Sequence, residues 1–84
     1  MTSGKRGFFV RVTNVGIFNA LVQAAEKLAA QKNQSFEAQR RGGYYEIVTH
    51  NAALWHEIYL YGQMLAQAQD ENIDGGEFPL QANG

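Results

Sequence analysis

The chain has 84 residues, 45% of them hydrophobic and 18% charged, with one proline and no cysteine. That predicts a single folded domain over 1–84, too apolar for disorder, without disulfides or thiolate metal ligands. The net charge of −1 hides an asymmetry, because all 7 Lys and Arg lie within 1–41 with two of the acidic residues, and the other acidic residues lie beyond. The expected arrangement sets oppositely charged elements side by side so that they cancel.

Residues 1–7 are polar and basic and read as a flexible leader. No apolar run follows them, and none approaches the roughly 18–20 residues of a membrane helix, so a cytoplasmic protein is expected. Phe8 to Thr13 is aromatic and β-branched, which predicts a strand with Phe8, Val10 and Val12 on one side and Phe9, Arg11 and Thr13 on the other. Thr13 or Asn14 can cap a helix over 14–32, whose apolar stripe is Ile17, Leu21, Ala24, Ala25 and Leu28, widened by Phe18, Val22 and Ala29. Lys32 and Asn33 suit its end.

Ser35–Arg41 and Tyr44–Thr49 flank Gly42-Gly43 and read as a β-hairpin with a type I′ turn. The register sets Arg41 opposite Tyr44, Arg40 opposite Tyr45, Gln39 opposite Glu46 and Ala38 opposite Ile47. Phe36, Ala38, Tyr45 and Ile47 then form the expected core face. Asn51 can cap a second helix over 52–70, with a main stripe of Leu54, Ile58, Tyr61, Leu65 and Ala68. Residues 71–84 form a polar tail in which 77–81 is a possible edge strand, the position where Pro79 is tolerated.

The order β-α-β-β-α(-β) predicts an α+β two-layer sandwich of ferredoxin-like topology. A right-handed crossover puts the first strand parallel to the second, and the third slots between them. The antiparallel sheet order is then 1-3-2, or 4-1-3-2 with a final strand, and both helices cover one face.

Catalytic signatures are sparse. There is no cysteine nucleophile, no nucleophile elbow and no P-loop. His50 and His56 are spaced off any common helical face, and Glu46 and Glu57 add too little for a metal site. The expectation is a non-catalytic protein with no cofactor and no small-molecule ligand. Gly75-Gly76-Glu77-Phe78 is similar to the loop of diguanylate cyclases over those four residues only, and the two glycines read as a turn.

Two surfaces carry functional expectations. The second helix is apolar beyond what one packed face absorbs. Tyr59 lies on one side of its polar strip, and Leu60, Met64 and Ala53 fall outside its core sector too. Tyr, Leu and Met are residue types of protein interfaces, so a protein partner or a homodimer is expected there, for a small regulator or inhibitor. The open sheet face offers an alternative, single-stranded nucleic-acid binding through Phe9, Arg11, Arg41 and Tyr44. Phe8–Val15 and Arg41–Val48 resemble the first- and third-strand motifs of the RNA-recognition motif, although a second glycine and Glu46 depart from the third-strand pattern. That resemblance implies stacking aromatics on those two strands.

Overall fold

The computed structural model describes residues 6–79. The elements run β1 (Arg6–Val12), α1 (Val15–Lys32), β2 (Glu37–Arg41), β3 (Tyr44–Thr49), α2 (Ala52–Ala68) and β4 (Asp74–Pro79). The sheet order is β2-β3-β1-β4, and every neighbouring pair is antiparallel. This is the ferredoxin-like order with the fourth strand present. Both helices pack on one face of it.

Side-chain alternation along β1 decides which face is buried. Phe8, Val10 and Val12 turn inward, where Val10 and Val12 meet Ile47 of β3, Ile17, Leu21 and Ala25 of α1, and Leu54, Ile58 and Ala66 of α2. Each helix starts on an asparagine whose side chain accepts a hydrogen bond from a first-turn amide. Asn14 takes Ile17 N at 3.0 Å and Asn51 takes Leu54 N at 2.8 Å. The predicted hairpin pairs, Arg41 with Tyr44 through Ala38 with Ile47, are the observed ones.

Several expectations are corrected. β1 begins at Arg6 because Arg6 and Gly7 pair with Pro79 and Phe78, so those two residues belong to the sheet and not to a leader. Residues 1–5 of that leader and 80–84 of the tail lie outside the described residues. Thr13 is a bend after β1 rather than part of it. Of the two turn glycines only Gly43 has a positive φ, +105°, which is the sign pattern of a type II turn and not of type I′. The buried stripe of α2 is Leu54, Ile58, Gly62 and Ala66, whereas Ala68 is exposed and Tyr61 and Leu65 are half-buried. Helix α2 also ends at Ala68, short of residue 70. Gly75 and Gly76 lie inside β4 and make no turn, opposite Val10 and Phe9 of β1.

The predicted charge cancellation is concrete at three contacts. Arg11 and Arg41 reach Glu46, and Lys32 reaches Glu57 at 2.8 Å. Each joins a basic residue of the first half to an acidic residue of the second.

Candidate functional site

The outward stripe of α2 is set by helical spacing. Ala53, Glu57, Leu60 and Met64 recur at three- and four-residue steps, opposite the stripe that fills the core. Leu60 is 50% exposed and Met64 58%, and as an i, i+4 pair they lie one turn apart. Ala53 is exposed on the same stripe, and Glu57 is tied to Lys32 of α1.

Tyr59 departs from this group. It is half-buried, stacked on Trp55 with ring centroids 5.4 Å apart, and it rests against Gly75 of β4. The fourth strand extends the sheet beneath it, so its ring serves the fold. The usable apolar stripe is therefore Ala53, Leu60 and Met64.

The open sheet face brings together all four residues expected there. The Arg11 guanidinium lies 4.3 Å from the Phe9 ring centroid and 5.2 Å from that of Tyr44. The Phe9 ring in turn lies over Gly76. Beneath the cluster sits Glu46, buried although charged, with its side chain 7% exposed. Its Oε2 accepts from Arg11 Nε at 2.9 Å and its Oε1 from Arg41 Nε at 3.2 Å. Glu46 holds both arginines, and its hydrogen bond raises the Arg11 pKa above the ordinary arginine value. Arg11 and Glu46 stand directly opposite each other in the β1–β3 register. The second hold, on Arg41, needed the diagonal geometry of the hairpin.

Glu46, His50 and Glu57 do not share a pocket. Glu46 faces the open side of the sheet with its two arginines, whereas Glu57 stands on α2 with Lys32. Among the described residues no three His, Asp or Glu side chains converge as a metal site would require. Also among the described residues, no helix is long and apolar enough to cross a membrane.

No family model matches the chain, and no curated protein matches it. Among solved structures it is similar to a de novo designed protein, Foldit4, with a TM-score of 0.46 and 14% identity over 93% of this chain and 96% of that one. The strand order β2-β3-β1-β4 with both helices on one face defines the fold.

Proposed function

We propose that this chain is a non-catalytic protein-binding module, a small regulator or inhibitor that docks a macromolecular partner through the outward stripe of α2. One observation carries the reading. Leu60 and Met64 stand half-exposed, one turn apart, on a helix whose opposite stripe already fills the core. Burying the exposed half of each side chain in a partner is worth about 0.75–1.5 kcal/mol, half the value for a fully exposed one. The unbranched Met adapts to irregular surfaces, and the neighbouring Glu57–Lys32 pair supplies a polar rim. The test compares wild type with the double variant L60E/M64E in affinity capture from the native host. A specific protein that binds wild type and is lost from the variant, with the circular dichroism melt unchanged, is the expected result. Identical capture by both would remove α2 as the docking surface.

A second reading, single-stranded nucleic-acid binding, is favoured by the assembly of Phe9, Arg11, Arg41 and Tyr44 on the open face. It ranks lower because Glu46 already engages both arginines and Arg11 covers the Phe9 ring that a base would need. Titration of labelled single-stranded RNA and DNA at low salt decides it. Binding that weakens with salt and with Tyr44→Ala would raise this reading above the first.

A further inference from the structure

β2 is an edge strand, and no strand among the described residues pairs with its outer side. The hairpin turn fixes which of its backbone groups are free. A two-residue loop is closed by hydrogen bonding between its flanking residues, here Arg41 and Tyr44. Arg41, Gln39 and Glu37 therefore direct their backbone groups at β3, and Arg40 and Ala38 direct theirs outward. An antiparallel strand added at this edge must hydrogen-bond at those outward residues.

For a second copy of β2, that condition leaves few registers. Ala38 on Ala38 sets Glu37 against Gln39 and pairs no charges. Arg40 on Arg40 sets like charges face to face. Ala38 on Arg40 places the two-fold axis at Gln39 and sets Glu37 opposite Arg41 twice, once on each side of the axis; Arg41 is bonded to Glu46 through Nε, which leaves its terminal guanidinium nitrogens for Glu37. The sequence Glu37-Ala38-Gln39-Arg40-Arg41 is thus self-complementary in one allowed register.

The helix side of the strand agrees. Ala38 is exposed because α1 stops short of β2 and leaves a groove of about 650 Å³, lined by Phe18, Val22, Tyr45 and Glu26 among others. In the same register the Arg40 side chain of the second copy lies opposite the short Ala38, which leaves it room, while each chain's own Arg40 lines the groove over the Tyr45 ring at 5.5 Å.

We propose that two copies of this chain associate through antiparallel β2–β2 pairing centred on Gln39, joining their sheets into one. Helix α2 packs over β1 and β3, so the Leu60–Met64 stripe stays free on both copies. The dimer is independent of the function proposed above, and would make that module bivalent.

Light scattering over a dilution series tests this with four variants. Wild type should show a dimer mass at about 100 μM and dissociate on dilution. E37R and R41E each set like charges opposite one another and should weaken the dimer at least about tenfold; R41E also removes a partner of Glu46, so its fold is checked by circular dichroism and E37R carries the test if R41E is unfolded. Mixing the two variants restores opposite charges at both contacts and should restore a dimer of one copy of each. A38P removes an outward N–H while sparing the β2–β3 ladder, and should give a monomer with an unchanged fold by circular dichroism. A wild-type chain that stays monomeric at about 1 mM would overturn the proposal. So would a dimer indifferent to E37R and A38P, and loss of that dimer in L60E/M64E would assign self-association to α2 instead.

Discussion

The ring of Tyr59 sits so close to the backbone of Gly75 that a Cβ at Gly75 would stand 2.5 Å from its Cδ1 and Cε1. The ring cannot back away easily, because Trp55 is stacked on it at 5.4 Å and Phe8 on Trp55 at 5.3 Å. Trp55 is also tethered, its Nε1 donating to the Phe9 carbonyl at 2.9 Å. Gly75→Ala should therefore cost about 1–3 kcal/mol by overpacking. Gly76→Ala is the matched control, because its Cβ would meet the Phe9 ring no closer than 3.4 Å, an ordinary contact. Trp55 is the only tryptophan, so its fluorescence reports both melts. Equal stability of the two variants would show that the aromatic stack shifts at little cost.

That contact also shows where sequence reading stops. Hydropathy gives glycine little weight, so the expected stripe of α2 continues from Leu54 and Ile58 to Tyr61, Leu65 and Ala68. The packed stripe instead runs through Gly62 and Ala66, where α2 comes close to its neighbours: a Cβ at Gly62 would lie 2.8 Å from Ile73 and 3.3 Å from Leu21. Gly75 and Gly76 carry the intrinsic signal of a turn, yet each accepts an aromatic ring, Tyr59 from the helix layer and Phe9 from the open face. Tyr59 reads as surplus on α2 because the possible edge strand is expected over 77–81, whereas β4 starts at Asp74 and brings Gly75 against the ring. The hairpin register, in contrast, is legible, since a two-residue turn and strict alternation leave one solution in which Ile47 and Tyr45 face the core, whereas Ala38, expected beside them, is exposed because it lies on the edge strand. The exposure of Leu60 and Met64 was legible from helical spacing alone, as was the gathering of Phe9, Arg11 and Tyr44 on one face.

Glu46 should matter more to stability than its surface neighbours. A glutamine in its place keeps the shape but loses the charge that serves two arginines, and its amide nitrogen turns a donor toward one of them. Glu46→Gln is expected to cost about 1.5–3 kcal/mol by chemical denaturation. Double-mutant cycles divide the loss. Coupling to Arg11 should exceed coupling to Arg41, because Arg11 has the shorter bond and is held between two aromatic rings. Both guanidinium side chains are partly solvated, at 41% and 50% exposure, so each coupling should stay near about 1 kcal/mol or below. A larger coupling to Arg41 would contradict this order.

The two N-caps should not be equivalent. Asn51 caps α2 through one side-chain acceptor, and Asn51→Ala is expected to cost about 1 kcal/mol. Asn14 caps α1 in the same way, and its Nδ2 also donates to Glu71 Oε2 at 3.0 Å and Gln69 Oε1 at 3.2 Å, pinning the connection between α2 and β4. Asn14→Ala should cost more, about 1.5–2 kcal/mol. Asn14→Asp separates the contributions, since it keeps the cap acceptor but sets a carboxylate against Glu71. It should fall below wild type and recover when Glu71→Gln is added. Equal losses for the two alanine variants would mean that the Glu71 and Gln69 contacts add nothing.

Both helices end in the same way, with a left-handed residue that is not glycine. Asn33 has φ of 56° and Asp70 has φ of 58°. At the end of α1, Asn33 N donates to Ala30 O and Gln34 N to Ala29 O; at the end of α2, Asp70 N donates to Gln67 O and Glu71 N to Ala66 O. This is the Schellman pattern, whose left-handed position favours glycine because a Cβ there costs about 1–2 kcal/mol. Short polar side chains recover part of that cost, asparagine more readily than aspartate. Asp70 also adds a negative charge at the carbonyl end of α2, where the helix dipole is already negative. Asp70→Gly should therefore stabilise the fold by about 0.5–1 kcal/mol, and Asn33→Gly by less. Denaturant midpoints read through Trp55 fluorescence should rise in that order without a change of slope. A midpoint for Asp70→Gly at or below wild type would show that the Asp70 side chain stabilises the turn by more than its backbone strain and its charge cost.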